Sequence, residues 1–208
     1  MNQASLQNEL LAFYKKSGFG EIVGSRPPAV LVYTGCLLVP MPNIETRRRY
    51  LKYHDLHHLV AGYSVGRIGE GEISAWELGT GSAFVSPTLG LMNLIALSTG
   101  LVLEPKRMWR AFRRGCTSQN LYSVEARAQV DSARWESIAA LRMDILESRS
   151  SRVPEGVRWV EFACYASIAM FIHAVIAVPA VITRVITDMT LGMSVFQAVK
   201  PKKRTDVY

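Results

Sequence analysis

The chain predicts an all-α protein: a helical metal- and lipid-binding domain with an appended apolar C-terminal helical hairpin. Three observations predict this class. Apolar residues recur at intervals of three and four through most of the chain, the period of a helix with one buried face. Two stretches, 82–103 and 162–183, run for 22 residues each without a charged side chain. Composition is that of a folded chain, 49% apolar and 20% charged over 208 residues, enough to bury a core without disulfides. The balance of 24 basic against 17 acidic residues leaves +7, so the chain is oily and basic together and suits an anionic membrane surface.

The elements follow in order. Residues 4–16 place Leu6, Leu10 and Phe13 on one helix face, and Gly18 and Gly20 end the run. The first 25 residues include Glu9 and Glu21 and lack an apolar signal stretch, so neither a secretory signal nor a transit peptide is expected. The apolar stretch 29–42 can be strand or helix, because Val30, Val32 and Tyr33 favour a strand while its length and prolines leave the choice open. A helix is expected from Asn43 or Thr46 to Ala61, then a glycine-punctuated loop over 62–70 and a second helix over 70–80. The run 82–103 contains Pro87, Gly90, Asn93 and Gly100 and reads as a buried helix or helix pair. Residues 104–114 form a basic segment, and 122–148 read as one long amphipathic helix with Val130, Trp135, Ile138, Leu141 and Ile145 at helical spacing. Ser, Pro and Gly in 149–156 mark a linker. At about 1.5 Å per residue the run 162–183 spans the roughly 30 Å of a bilayer core. Met189–Val199 is a short return arm, and Lys200, Lys202, Lys203 and Arg204 place the C-terminus on the cytoplasmic side. Three units result: 1–150 helical domain, 157–199 membrane-associated hairpin, 200–208 basic tail.

Chemistry concentrates in one place. Three of four histidines fall in His54-Asp55-Leu56-His57-His58. On a helix, positions four apart share a face, so His54 and His58 can hold one cation. Asp55 is a ligand or orients an imidazole from behind, His57 points away from that face, and Glu70 can return a carboxylate across the glycine-rich loop. Two imidazoles with one or two carboxylates suit Zn²⁺ or another divalent first-row ion; the bland alternative is a solvated helix face. Four histidines are too few for a desaturase di-iron site, and Glu-x-x-His and H-E-x-x-H motifs are absent. The cysteines Cys36, Cys116 and Cys164 are odd in number and scattered, which argues against a disulfide framework. In the basic segment, Arg110, Arg113 and Arg114 are candidates for lipid phosphate or pyrophosphate-like head groups, with Trp109 and Phe112 interleaved as on an interfacial helix. Nucleic acid is not an expected partner, since no nucleic-acid-binding motif accompanies the charge.

The string H-D-x-x-H, eleven residues, then E, read here as His54, Asp55, His58 and Glu70, resembles the motif of the Coq-four family of ubiquinone-biosynthesis proteins. HLVAGY at 58–63, WRAFRRG at 109–115 and SARWESIAALRMDIL at 132–146 extend the resemblance over roughly 40–148. It implies an all-helical, membrane-associated protein with a divalent metal, most simply zinc, on His54, Asp55, His58 and Glu70. It further implies a prenylated quinone precursor or other isoprenoid lipid as ligand, with decarboxylation of a polyprenyl hydroxybenzoate (a metal-dependent lyase) as the activity. The alternative is a non-catalytic scaffold that presents prenyl-quinone intermediates to other quinone-biosynthesis enzymes. Expected partners therefore include the membrane, those enzymes and a homo-oligomer. The expected location is the cytoplasmic face of a membrane, the inner membrane for a bacterial chain. The residues before 40 match less closely, and the apolar tail after 157 is an addition to the family pattern.

Overall fold

Helix boundaries in this chain are set by glycine, proline and serine, and the computed structural model shows where each acts. It describes residues 5–17, 29–34, 37–146, 150 and 153–190. Helix α1 (Leu6–Ser17) is followed by strands β1 (Ala29–Thr34) and β2 (Leu37–Pro42), then by α2 (Glu45–Ala61), α3 (Arg67–Gly79) and the single turn α4 (Ser82–Val85). Helices α5 (Pro87–Leu103), α6 (Pro105–Gly115), α7 (Val124–Asp131), α8 (Ile138–Ile145) and α9 (Glu155–Thr190) complete the order. The class is all-α, with one small exception. Strands β1 and β2 pair antiparallel, with Ala29 facing Pro42 and Thr34 facing Leu37.

Two expectations need correcting. The first concerns 62–70: the loop ends at Gly66, which caps α3, and Glu70 already sits in the first helical turn. Gly69 and Gly71 are there for close approach rather than for a bend. A Cβ on Gly69 would strike the Ser64 carbonyl, and one on Gly71 would stand 2.7 Å from Gly100 Cα on α5. The second concerns 122–148, which is two short helices. Ser123 and Ser137 each accept a hydrogen bond from a backbone N–H three residues on, at Ala126 (3.1 Å) and Ala140 (3.2 Å), and so start α7 and α8. Ala133 between them has φ 56°, a left-handed conformation that no continuous helix allows. Buried Val130 before this corner and Ile138, Leu141 and Ile145 after it keep the apolar spacing of one helix.

Helix α3 is the centre of the domain, packed on α5 and α6, with Ile73, Ala75, Trp76 and Leu78 buried on it. At the α3–α6 crossing the backbones touch, and a Cβ on Gly115 would reach 2.0 Å from the Trp76 carbonyl oxygen. Backbone cannot yield as a side chain does. Gly115→Ala is therefore expected to cost about 3 kcal/mol, the upper range for overpacking, read as a lowered urea midpoint with unchanged slope.

The last carbonyls of α2 are satisfied by two arginines from distant elements. Arg114 donates to the Ala61 carbonyl at 2.7 Å, and Arg142 donates to those of Val60 (2.9 Å) and Leu59 (2.8 Å). Cations at a helix C-terminus also oppose its negative dipole end. The chain turns there at Gly62, whose φ of 78° is the left-handed value glycine adopts without strain.

The C-terminal region is a single 36-residue helix, α9, with Pro179 inside it. The anticipated 162–183 segment is its middle, and its Glu155–Pro179 part is long and apolar enough to cross a membrane by length and composition. The first two residues of the expected return arm, Met189 and Thr190, continue the same helix. The rest of that arm and the basic tail 200–208 lie outside the described residues.

Candidate metal centre

Helix α2 presents His54 and His58 one turn apart, and α3 brings Glu70 against them. The Nε2 atoms of His54 and His58 are 3.3 Å apart. Glu70 Oε2 is 3.5 Å from His54 Nε2, and Glu70 Oε1 is 3.7 Å from His58 Nε2. Tetrahedral bonds of about 2.0–2.1 Å to zinc place neighbouring ligand atoms about 3.3–3.4 Å apart, so this triangle is close to one face of such a site. Among the described residues these three form the group able to hold a metal ion.

The tautomers follow from the partners. His58 Nδ1 is 3.1 Å from the Tyr63 carbonyl, which can only accept, so Nδ1 carries the proton. His54 Nδ1 donates in the same way to Glu77 Oε1 at 2.9 Å. In the neutral rings both Nε2 lone pairs then point at one another and at a carboxylate. Three electron-rich atoms in so small a space need a proton or a cation between them. The carbonyl held by Gly62's turn and the Glu77 carboxylate are the outer partners that fix the two rings.

Glu77 is the functional residue that sequence reading missed. It is fully buried, and one oxygen accepts three hydrogen bonds: from His54 Nδ1, from His57 Nδ1 at 2.8 Å and from the Tyr122 hydroxyl at 2.6 Å. A signal was present, since Glu77 stands seven residues after Glu70, two turns along the same face of α3. His57 stands outside the converging triad but is not idle. Its Nε2 accepts from the Leu121 N–H at 2.9 Å, which leaves Nδ1 as the donor to Glu77. Both of its nitrogens are thereby committed, and burial lowers its pKa below the usual 6.5.

Charge in this site is set by burial working against close partners. Burial opposes ionisation of Glu70, yet the His58 and His54 imidazoles hold its carboxyl well below 4.5. Burial would likewise depress His54, but the carboxylates of Glu77 and Glu70 outweigh it and raise the imidazole well above 6.5. Asp55 is also buried on α2, and burial pushes its carboxyl up to about 6 against the His54 and His58 charges and a hydrogen bond from Tyr14 of α1. Asp55 is not part of the converging triad, so of the four anticipated ligands three meet. The His54 and Glu70 side chains remain 19% and 18% exposed while His58 is 1% exposed, so solvent reaches the triad from the side of His54 and Glu70.

A pH dependence follows. With His54 raised, the metal-free site holds a proton at neutral pH that an incoming cation must displace. Apparent affinity is expected to rise with pH by up to about tenfold per unit below the His54 pKa and to level off above it. Zinc competition titrations between about pH 6 and pH 8 read this directly, with proton release as a second readout.

The three arginines of α6 expected to meet head groups play different parts. Arg114 is half-buried at the end of α2 and lies over the Tyr63 ring. Arg113 is paired with Glu155 at 3.2 Å and lies against Trp109. Arg110 is exposed. In comparisons with family models, curated proteins and solved structures, nothing matches this chain.

Proposed function

We propose that the chain binds one divalent metal ion, zinc in the simplest case, through His54, His58 and Glu70, and works at a membrane on a prenylated aromatic precursor of ubiquinone. The observation that supports metal binding is the meeting of two imidazole Nε2 atoms and a carboxylate within 3.3 to 3.7 Å of one another. The resemblance to the Coq-four family supports the choice of ligand and of decarboxylation as the reaction. When bound, such an ion acts as a Lewis acid that polarises a phenol or carboxylate on the ring. The chain's own part is orientation. Glu77 and the Tyr63 carbonyl aim the two imidazoles, and the buried surroundings of His58 limit water on that side. Membrane association is supported by α9, and the cytoplasmic face is part of the same proposal.

A scaffold that only presents prenyl lipids to partner enzymes is the competing reading, and one experiment separates the two. Purified protein is assayed with a prenylated hydroxybenzoate, with and without added zinc, beside Glu70→Gln. Metal-dependent release of the carboxyl group that Glu70→Gln abolishes supports catalysis. Lipid binding without turnover in either protein supports the scaffold.

A further inference from the structure

Helix α9 packs on the domain between Phe162 and His173. The Phe162 ring packs tilted against those of Trp109 (5.4 Å) and Phe112 (5.3 Å) of α6, and Ala169 is fully buried. Further along, His173 Nδ1 lies 3.4 Å from the Ser98 hydroxyl of α5. The opposite face carries Ile168, Phe171, Val175, Val178, Ile182 and Ile186, spaced three or four apart and 48% to 69% exposed. One stripe is thus covered by protein and the other by nothing among the described residues.

These contacts fix what else would share α9's depth in a bilayer. His173 is the middle of the uncharged run 162–183, so a crossing helix would centre near it. Ser98 is at the same level, and Gly100, two residues on, touches Gly71 of α3. Gly71 is flanked by the metal ligand Glu70 and by Glu72, which holds Arg107 through two hydrogen bonds of 2.8 and 2.7 Å. Each step runs sideways from helix to helix. A crossing α9 would therefore draw a carboxylate, an ion pair and the metal centre toward hydrocarbon, where charged groups are costly.

We infer that α9 lies in the plane of the membrane, with its outer stripe sunk into the acyl boundary and its inner face on α5 and α6, so that both of its ends emerge on one side. The inference rests on the membrane association proposed above and replaces a crossing anchor with a flat one. The occupant of the stripe is bilayer hydrocarbon, for two reasons. The stripe is apolar over more than four turns, and exposed Lys106 and Arg110 lie on α6, the helix whose Arg113 pairs with Glu155 at α9's start, where Trp159 is 59% exposed. Basic and aromatic side chains at the edge of an apolar face suit anionic head groups.

The test uses the full chain in a Cys36→Ser, Cys116→Ser, Cys164→Ser background, with a single cysteine from Val153→Cys or Thr205→Cys. Membranes from an expressing bacterial host are prepared as sealed vesicles and treated with an impermeant polyethylene-glycol maleimide. Equal modification of the two positions, with or without detergent, is the expected result. Protection of one position until detergent is added, while the other reacts, overturns the inference and leaves membrane association standing. Recovery of the chain in the soluble fraction overturns membrane association and the inference with it. A second measurement places a fluorophore on the stripe: Phe171→Trp in phosphatidylcholine–phosphatidylglycerol vesicles should be quenched more by lipids brominated near the head group than near the chain ends. The reverse order indicates a crossing helix.

Discussion

Replacing His54 and His58 together with alanine is expected to reduce bound divalent metal from about one ion per chain to background, with apparent affinity falling by at least on the order of a thousandfold. The size of the effect follows from what remains. Glu70 alone is a partly exposed carboxylate, and Asp55, held by Tyr14 and by burial, is not in the triad. Neither the Tyr63 carbonyl nor Glu77 can substitute, because each faces the far side of an imidazole. Metal analysis of the purified wild type and double variant, each checked for helical content, decides the point. Equal metal in both would remove the site.

The second large effect belongs to Glu77. Glu77→Ala leaves two buried donors, His57 Nδ1 and the Tyr122 hydroxyl, and the partly buried His54 Nδ1 without their common acceptor. At about 1–3 kcal/mol for each unsatisfied buried group, the loss should be on the order of 3–5 kcal/mol, enough to unfold many domains of this size. Glu77→Gln keeps the shape but not the charge. It should retain more stability and weaken metal binding by about 10–100-fold, the usual cost of removing the group behind a histidine ligand. The two variants also differ in pH response. Burial opposes the Glu77 charge, but His54 and then His57 hold the carboxyl below its usual 4.5. Its contribution is therefore complete above 4.5 and drains as pH falls through the lower folded value, a loss that Glu77→Gln should not show. Parallel acid and urea titrations of the three proteins measure it. Matching acid profiles for wild type and Glu77→Gln would show that the carboxylate charge is not what matters.

Much of this fold is legible because helices are local. The i, i+4 spacing alone places His54 and His58 on one face, and the extent of α5 follows from Pro87 and the absence of charge to Leu103. A proline marks the start of α6 at Pro105, whereas the capping serines Ser123 and Ser137 lie inside the stretch expected to be one helix. What failed was local sequence whose meaning is set elsewhere. Gly69 and Gly71 look like loop residues until Ser64 and Gly100 are seen to occupy the space a Cβ would need. The break at Ala133 is invisible because the apolar spacing on either side continues.

The oily and basic character of the chain, its helical class and the candidate pair His54/His58 with Glu70 were determined by sequence, since each depends on neighbours within a few turns. Tertiary structure decided the rest. It placed Glu77 and Tyr122, 45 residues apart, in one hydrogen bond, moved Asp55 out of the converging triad, and turned Arg114 inward to close α2. It also laid α9 along α5, which no property of α9's own residues specifies. The physical reason is common to all of these. Periodicity fixes which face of a helix is apolar or polar, whereas the partner that meets that face is chosen by how whole helices pack.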